Sequence, residues 1–397
     1  MSPGQTPDST PSKPAQAARV IYQQPACPKY RLPVYDELAQ RPGIALTVVY
    51  AEEPDLENAA SGRPWSLTWP KKDLTLLGQR LTWHGAQWHF ASRTHADVLL
   101  MTWNTRYLSL VPSLIKARLT GVPTILWGHG YSKAEGRLRR LARVLVARLA
   151  TCVQVYNHTT AQRLVREGLA AEKVHVALNA LDQRPMQEAA RAWRGEPGRL
   201  ESFAHEKGLG AGPVVLFVSR LMDDNKVDLL IDAVAALRSS GRLPTLTAAI
   251  VGKGPDEDRL RAHAKAKGVE HAVHFAGAIY DEQNLAPYFL CADVFCYPVN
   301  IGLSILHAFG YGLPVVTADS IEAQNPEIEA LRPGENGLLY RAGDTDALAD
   351  ALARIIEDRP LRERMSAKAL ATVTQRFTLK NMVDGMVGAI EYCRRGR

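Results

Sequence analysis

The chain reads as an α/β protein of two doubly wound domains, on three observations. Its 397 residues exceed what one hydrophobic core ordinarily holds, so two domains are expected. Short apolar runs alternate with amphipathic helical patterns in both halves, the signature of parallel sheets crossed over by helices. Between the halves, residues 183–204 are richer in Gly, Pro and charge and read as a linker. The expected layout is a tail over 1–18, a first domain over 19–182, that linker, and a second domain over 205–377. Such domains place ligands at the carboxyl ends of their strands, facing the central cleft.

The tail is rich in Pro, Ser and Thr and lacks the apolar stretch of a signal peptide, so it reads as disordered. Residues 19–23, 45–51 and 98–103 read as buried strands. Residues 34–40 are helical between the first two, with Pro33 in the first turn. Residues 52–96 are poorly periodic and leave room for a hairpin or two. A helix over 108–119 is stopped by Gly121-Val122-Pro123, and a strand over 124–127 by Gly128-His129-Gly130. A helix over 136–150, a strand over 152–156, a helix over 159–167 and a strand over 174–178 complete this half. Within the linker, 189–193 and 199–206 fit short helices.

The second series runs strand 214–218, helix 227–239, strand 245–251, helix 256–267 and a short strand at 274–275. An apolar run over 292–297 then ends in Pro298. After a small loop, Gly302 opens a helical pattern to Tyr311, and Gly312-Leu313-Pro314 stops it before the strand-like 315–317. Residues 337–340 read as a strand, 345–356 and 360–375 as helices, and 378–395 as a last helix with Thr378 as N-cap.

Composition is that of a globular protein, 46% apolar and 22% charged, and no apolar run is long enough to span a membrane. With no export signal, a cytoplasmic location is expected. Cys27, Cys152, Cys291, Cys296 and Cys393 are scattered and odd in number, which fits neither a disulfide framework nor a zinc spacing. The net charge of +7 suits acidic partners. No module of clustered cations and aromatics is present, so nucleic acid is not an expected partner.

Several features carry chemistry. Strand 214–218 empties into a loop holding Arg220 and Lys226; Arg suits a forked oxygen pair and Lys acts as a point charge. A solvated surface loop is the plainer alternative. Gly252-Lys253-Gly254-Pro255 is a turn after a strand. Its sixth position is Glu257 where a dinucleotide fingerprint needs Gly, so a tight turn and a ligand contact both stay open. The junction Asn300-Ile301-Gly302-Leu303-Ser304 offers free backbone N–H groups to an anion, and Ser304 and His307 share a helix face. His129, between two glycines at a strand end, reads as a cleft residue or a turn histidine. Arg137, Arg139, Arg140, Arg143 and Arg148 decorate an amphipathic helix that either packs on the core with a solvated basic face or lies on an anionic membrane. Asp344-Thr345-Asp346 is read as an N-cap with first-turn acids, and Asp223-Asp224 as solvated.

These residues, in this order, resemble the retaining GT-B glycosyltransferases of the group-1, GT4-like family. The likeness is firm over 214–375 and looser over 19–182, where it rests on strand order and His129. It implies two Rossmann-like domains, with the final helix, 378–397, packed back on the first. It also implies a nucleoside-diphosphate sugar as donor, a saccharide or lipid-linked acceptor, and no cofactor or metal. By resemblance, Arg220 and Lys226 hold the diphosphate. Gly252, Gly254, Ile279, Asn300, Gly302, Leu303 and Ser304 line the donor, with Ile279 beside the base. His129 bonds the transferred sugar. The family's Glu-x7-Glu pair is replaced by Val299 and His307, and an imidazole can bond a ribose hydroxyl in place of the second Glu. Two further readings stay open: a nucleotide-sugar-binding protein of weak turnover, and an NAD-dependent oxidoreductase, against which the incomplete glycine fingerprint counts.

Overall fold

The computed structural model describes residues 17–52, 59, 62–76, 78–131, 136–210 and 212–395; the expected tail lies outside them as far as residue 16. The apolar runs of the first half form β1 (Ala18–Gln23), β2 (Ile44–Tyr50), β3 (Ser66–Thr68), β6 (Val98–Thr102), β7 (Thr124–Trp127), β8 (Cys152–Val155) and β9 (Val174–Val176). Within the poorly periodic stretch, β4 (Lys71–Leu76) and β5 (Gln79–His84) pair as an antiparallel hairpin. The larger sheet has the order β3-β2-β1-β6-β7-β8-β9, and its pairings from β3 to β8 are parallel. Every residue of β7 and β8 is buried, as expected of parallel strands covered on both faces.

The second half supplies β10 (Val214–Val218), β11 (Thr247–Val251), β12 (Val273–Gly277), β13 (Val294–Cys296), β14 (Val315–Ala318) and β15 (Gly337–Tyr340). They form one parallel sheet in the order β12-β11-β10-β13-β14-β15. The chain starts at the centre with β10, winds outward to β12, then crosses back to β13. The winding reverses between β10 and β13, the place where an open α/β sheet leaves a crevice at its carboxyl edge. Phe217, Phe289, Phe295 and Phe309 are fully buried around this sheet.

Contacts divide the chain into two compact units. One holds Met1–Gly128, Leu141–Gln154 and Val387–Arg397, and the other His129–Arg140 and Val155–Met386. In the first, the sulfurs of Cys393 and Cys152 are 3.7 Å apart. Among the described residues, no helix is long and apolar enough to cross a membrane.

Two segments differ from the sequence reading. Residues 183–204, expected as a linker with short helices over 189–193 and 199–206, carry helix Arg199–Glu206 at the expected bounds and a longer first helix, Arg184–Arg194. The first buries Met186, Ala189, Ala190 and Trp193, an apolar stripe that the surrounding charges obscure. Helix Glu282–Cys291 was not expected at all, because Pro287 lies inside it. Proline cannot donate to the carbonyl four residues back, here that of Gln283. Trp193 fills the gap: its indole Nε1 donates to the Gln283 carbonyl at 2.7 Å. Its ring meets Phe203 edge-on at 5.6 Å, and the Arg199 guanidinium lies 3.9 Å from its centroid. This segment therefore acts as a staple on a proline-interrupted helix.

Replacing Trp193 by Phe keeps the ring and removes the N–H. The stranded carbonyl should cost about 1–3 kcal/mol, and Trp193→Ala about 3–5 kcal/mol through the added cavity. Chemical denaturation measures both; a Phe variant as stable as the parent would show that the Gln283 carbonyl has another partner.

Candidate functional site

Three loops converge at the carboxyl ends of β11, β10 and β13. The first leaves β10 through Ser219, Arg220 and Leu221 to Lys226. The second is the turn from Val251 to Pro255 after β11. Their backbones stay paired beyond the strands: the Ser219 N–H donates to the Val251 carbonyl and the Leu221 N–H to the Lys253 carbonyl, both at 3.1 Å. The approach is close enough to exclude side chains. A Cβ at Gly252 would lie 1.8 Å from the Ser219 carbonyl oxygen, and one at Gly254 2.0 Å from that of Leu221. Both glycines are thus required by packing, whatever else they touch. Ile279 is half-buried against the same core, in the turn after β12.

The third loop leaves β13 and is tied to the first at several points. The Tyr297 hydroxyl donates to Asn225 Oδ1 at 3.1 Å and lies 3.0 Å from the Ser219 hydroxyl, and burial pushes this phenol's pKa up. The Val299 N–H reaches the Asn225 carbonyl at 3.4 Å, and Asn300 Nδ2 donates to Asp224 Oδ2 at 2.8 Å. Ser304 Oγ donates to the Val218 carbonyl at 3.3 Å, holding the next helix against the end of β10. From the other side, Gln324 Oε1 accepts the Ile301 N–H at 2.8 Å, and Asn325 Nδ2 donates to the Asn300 carbonyl and Oδ1 at 2.9 Å each. Nothing in the sequence marked Gln324 or Asn325, since the contact joins residues 23 and 25 positions apart.

The helix begins at Ser304, two residues after the expected Gly302, with Leu303 as N-cap. The N–H groups of Gly302, Leu303 and Ser304 find no acceptor among the described residues. Arg220 is exposed, and its guanidinium makes no hydrogen bond or ion pair with a described residue. Free N–H groups and a free guanidinium on adjoining loops make an anion cradle. Lys226 differs: its Nζ lies 3.0 Å from both carboxylate oxygens of Asp223. Asp223 and Asp224 are exposed, in line with the solvated reading, and meet Lys226 and Asn300 at the surface. Arg259, which the sequence reading passed over, joins Asp256 at 2.6 Å and holds that carboxyl below its ordinary pKa.

The two predicted histidines differ in their surroundings. His307, taken as a ribose contact, has its Nε2 2.9 Å from Glu282 Oε1 and its ring stacked 4.6 Å from Phe289. Sequence spacing places it on the right face but cannot show a partner 25 residues away. His129 is exposed at the exit of β7, its ring centroid 5.1 Å from that of Tyr156. The flanking glycines fix its place: a Cβ at Gly128 would meet Trp103 Cβ at 3.1 Å, and one at Gly130 would meet Thr160 Cγ2 at 2.6 Å. The look-alike Asp344 is the N-cap expected, accepting the Ala347 N–H at 2.9 Å.

This half of the chain matches a known family: residues 212–358 fit the model described as Glycosyl transferases group 1. The match covers the domain that holds the three loops. Lipopolysaccharide core biosynthesis glycosyltransferase LpsE of Rhizobium meliloti is 31% identical over 175 residues, 43% of this chain and 48% of the relative. A phosphatidyl-myo-inositol mannosyltransferase of Mycobacterium leprae is 35% identical over 167 residues, 41% of this chain and 42% of the relative. The chain spans about half the length of these curated relatives. Anabaena Alr3699/HepE, solved in complex with UDP, superposes with a TM-score of 0.72 at 20% identity, over 94% of this chain and 99% of that one. WaaG, a glycosyltransferase involved in lipopolysaccharide biosynthesis, gives 0.62 at 16% identity over 94% and 99%. These likenesses establish the fold as GT-B, two Rossmann-like domains with parallel sheets.

The glycine packing of the group 1 domain is directly testable. Gly252→Ala sets a methyl against a backbone carbonyl at a φ of 150°, so it should destabilise by at least about 1–3 kcal/mol without any ligand present. A thermal melt unchanged by this substitution would show that the turn can open away from the β10 exit.

Proposed function

We propose that the protein is a glycosyltransferase. It moves a sugar from a nucleoside-diphosphate donor to a saccharide or lipid-linked acceptor, with retention at the anomeric carbon, in cell-surface polysaccharide or glycolipid assembly. The observation that carries this reading is the anion cradle at the winding reversal, with Arg220 exposed on one loop and the N–H groups of Gly302, Leu303 and Ser304 open on the loop tied to it. A diphosphate is the anion that such a forked cation and row of amides suit. The relatives support the class, since one is named for lipopolysaccharide core biosynthesis and another as a phosphatidyl-myo-inositol mannosyltransferase, and HepE was solved with UDP and with UDP-glucose.

In this scheme Arg220 takes two oxygens of the diphosphate, and the loop amides take others. As the sugar–phosphate bond breaks, negative charge grows on the leaving phosphate, and preorganised donors stabilise it. Lys226 joins by exchanging Asp223 for phosphate. Its ion pair is solvent-exposed and contributes at most about 1 kcal/mol, so a dianion outbids it. The acceptor's proton passes to the leaving phosphate on the same face of the sugar, and His129 hydrogen-bonds the sugar. Ile279 lies beside the base. The chain's own cations neutralise the diphosphate, so no divalent ion is needed.

Arg220→Ala should weaken nucleoside diphosphate binding and donor use by ten-fold or more, the equivalent of about 1.5–3 kcal/mol for a charged hydrogen bond, while EDTA leaves transfer unchanged. Calorimetry and a donor-turnover assay measure these; full activity of the variant, or abolition by EDTA, would overturn the scheme. Donor binding by the parent protein without hydrolysis or transfer would favour the binding protein of weak turnover that the missing Glu pair at Val299 and His307 suggests.

The reading includes peripheral contact with a membrane from the cytoplasmic side. Helix Arg137–Leu149 carries no acidic residue and buries Val144 and Ala147, while Leu138, Leu141 and Leu145 are 83%, 60% and 59% exposed. The side chain of Arg137 is outside the described residues. Leucines at that spacing share a face, and Arg139, Arg140 and Arg148 flank them, which suits an anionic lipid surface. Replacing the three leucines by Ser should abolish sedimentation with vesicles containing anionic lipid; unchanged sedimentation would remove the helix from the proposal.

A further inference from the structure

The sequence shows no carboxylate at positions 299 and 307, yet the structure brings one to His307 from another helix. Glu282 is the first residue of helix Glu282–Cys291, whose N-cap Asp281 accepts the Asn284 N–H at 3.1 Å. Its carboxylate is only part-exposed, at 23%. One oxygen, Oε1, takes both available donors: His307 Nε2 at 2.9 Å and the Tyr311 hydroxyl. Phe289 stacks on both rings, at 4.6 Å from each and nearly parallel, so neither ring is free to swing away. The other oxygen, Oε2, accepts nothing from any described residue.

This is an oriented acceptor with its lone pairs unused. Burial acts to raise the Glu282 pKa, but the His307 bond and charge and the Tyr311 hydroxyl outweigh it and hold the carboxyl below its ordinary value. The ionised group accepts without donating, so its natural partner is a hydroxyl or amide donor. Its place names the donor. His307 follows Ser304 by three residues, about 4.5 Å along the helix axis and on the same face. Ser304 belongs to the anion cradle, so the His307 that Glu282 holds lies about one helical turn from it, and Glu282 itself follows β12 and the turn that carries Ile279.

Resting on the nucleotide-sugar reading above, we infer that Glu282 is the residue that recognises the ribose, Oε2 accepting hydrogen bonds from the vicinal hydroxyls of a bound ribonucleoside diphosphate. His307 and Tyr311 are positioning residues that hold Oε1. The carboxylate has not been lost from the site; it arrives from a different helix, and the imidazole clamps it where a direct contact was expected. A site that presents an ionised acceptor to hydroxyls rejects a ligand lacking them, because the acceptor is left unpaired.

Calorimetry with UDP and GDP against their 2′-deoxy forms tests this. The parent protein should bind the better ribonucleotide at least about ten-fold more tightly than its deoxy form. Glu282→Gln, similar in shape, should bring the two forms within about two-fold of each other by weakening the ribonucleotide. Tyr311→Phe and His307→Ala should each shrink the ratio. Arg220→Ala should weaken both forms and leave the ratio intact, which separates ribose recognition from phosphate binding. Binding without ribose discrimination in the parent, or full discrimination in Glu282→Gln, overturns the inference alone. Failure of the parent to bind any of the four nucleotides overturns the nucleotide reading and this inference with it. Should Glu282→Gln fail to fold, Glu282→Asp, which withdraws the carboxylate by one methylene, must show the same loss of discrimination.

Discussion

The site depends on one steric constraint, the contact of the Gly252–Gly254 turn with the backbone leaving β10. Strand pairing between β10 and β11 ends at Val218 and Val251, yet the hydrogen bonds continue through Ser219 and Leu221. That continuation needs two positions without a Cβ, and glycine stands at both. With Ser219 and Leu221 pinned, the residue between them cannot turn back toward the turn, and the Arg220 side chain is exposed to solvent. Tyr297 and Asn225 then carry the constraint to the β13 loop, so the cradle is fixed from both sides of the winding reversal.

A second constraint is backbone strain. Among the described residues, the only non-glycine residues with positive φ are Lys226, at 52°, and Asn300, at 72°. They lie in the two loops that face each other across the reversal, joined through Asp224 and Asn225. Asparagine tolerates the left-handed region by local hydrogen bonding, but lysine has no such compensation. A left-handed lysine costs on the order of 1 kcal/mol, and its exposed pair with Asp223 returns little of it. Strain of this kind persists where the surroundings impose it, and here the imposed conformation is the one that turns the chain into helix Val227–Ser239 with Lys226 at its N-cap.

Much of the fold was legible in the sequence, for a physical reason. Parallel strands covered on both faces read as unbroken apolar runs, so β7, β10 and helix Val227–Ser239 match their expected bounds. The failures are also physical. Pro287 concealed helix Glu282–Cys291, because the compensating donor is an indole 90 residues away. The surrounding charges and glycines disguised the stripe Met186, Ala189, Ala190 and Trp193 as a linker. Of the candidate site, the residues on strand exits were visible, since each follows its strand directly. What spacing along the chain cannot show is which groups meet across elements. The pairing of His307 with Glu282, 25 residues away, is such a meeting.

The Glu282 case shows where that blindness matters most. A recognition carboxylate needs a fixed position and partial desolvation, both of which come from neighbours and neither from its own helix. The proline-interrupted helix that carries Glu282 is braced by Trp193 at the carbonyl of Gln283, the next residue. On its other flank, Phe289 of the same helix packs against the rings of His307 and Tyr311, which grip the carboxylate. The helix is thus held at both ends of the stretch that presents Glu282. Loosening the Trp193 bond would let the first turn move without touching any group at the site, and the carboxylate oxygen would lose its place before the fold lost its core. Stability and recognition are coupled here through a single backbone carbonyl.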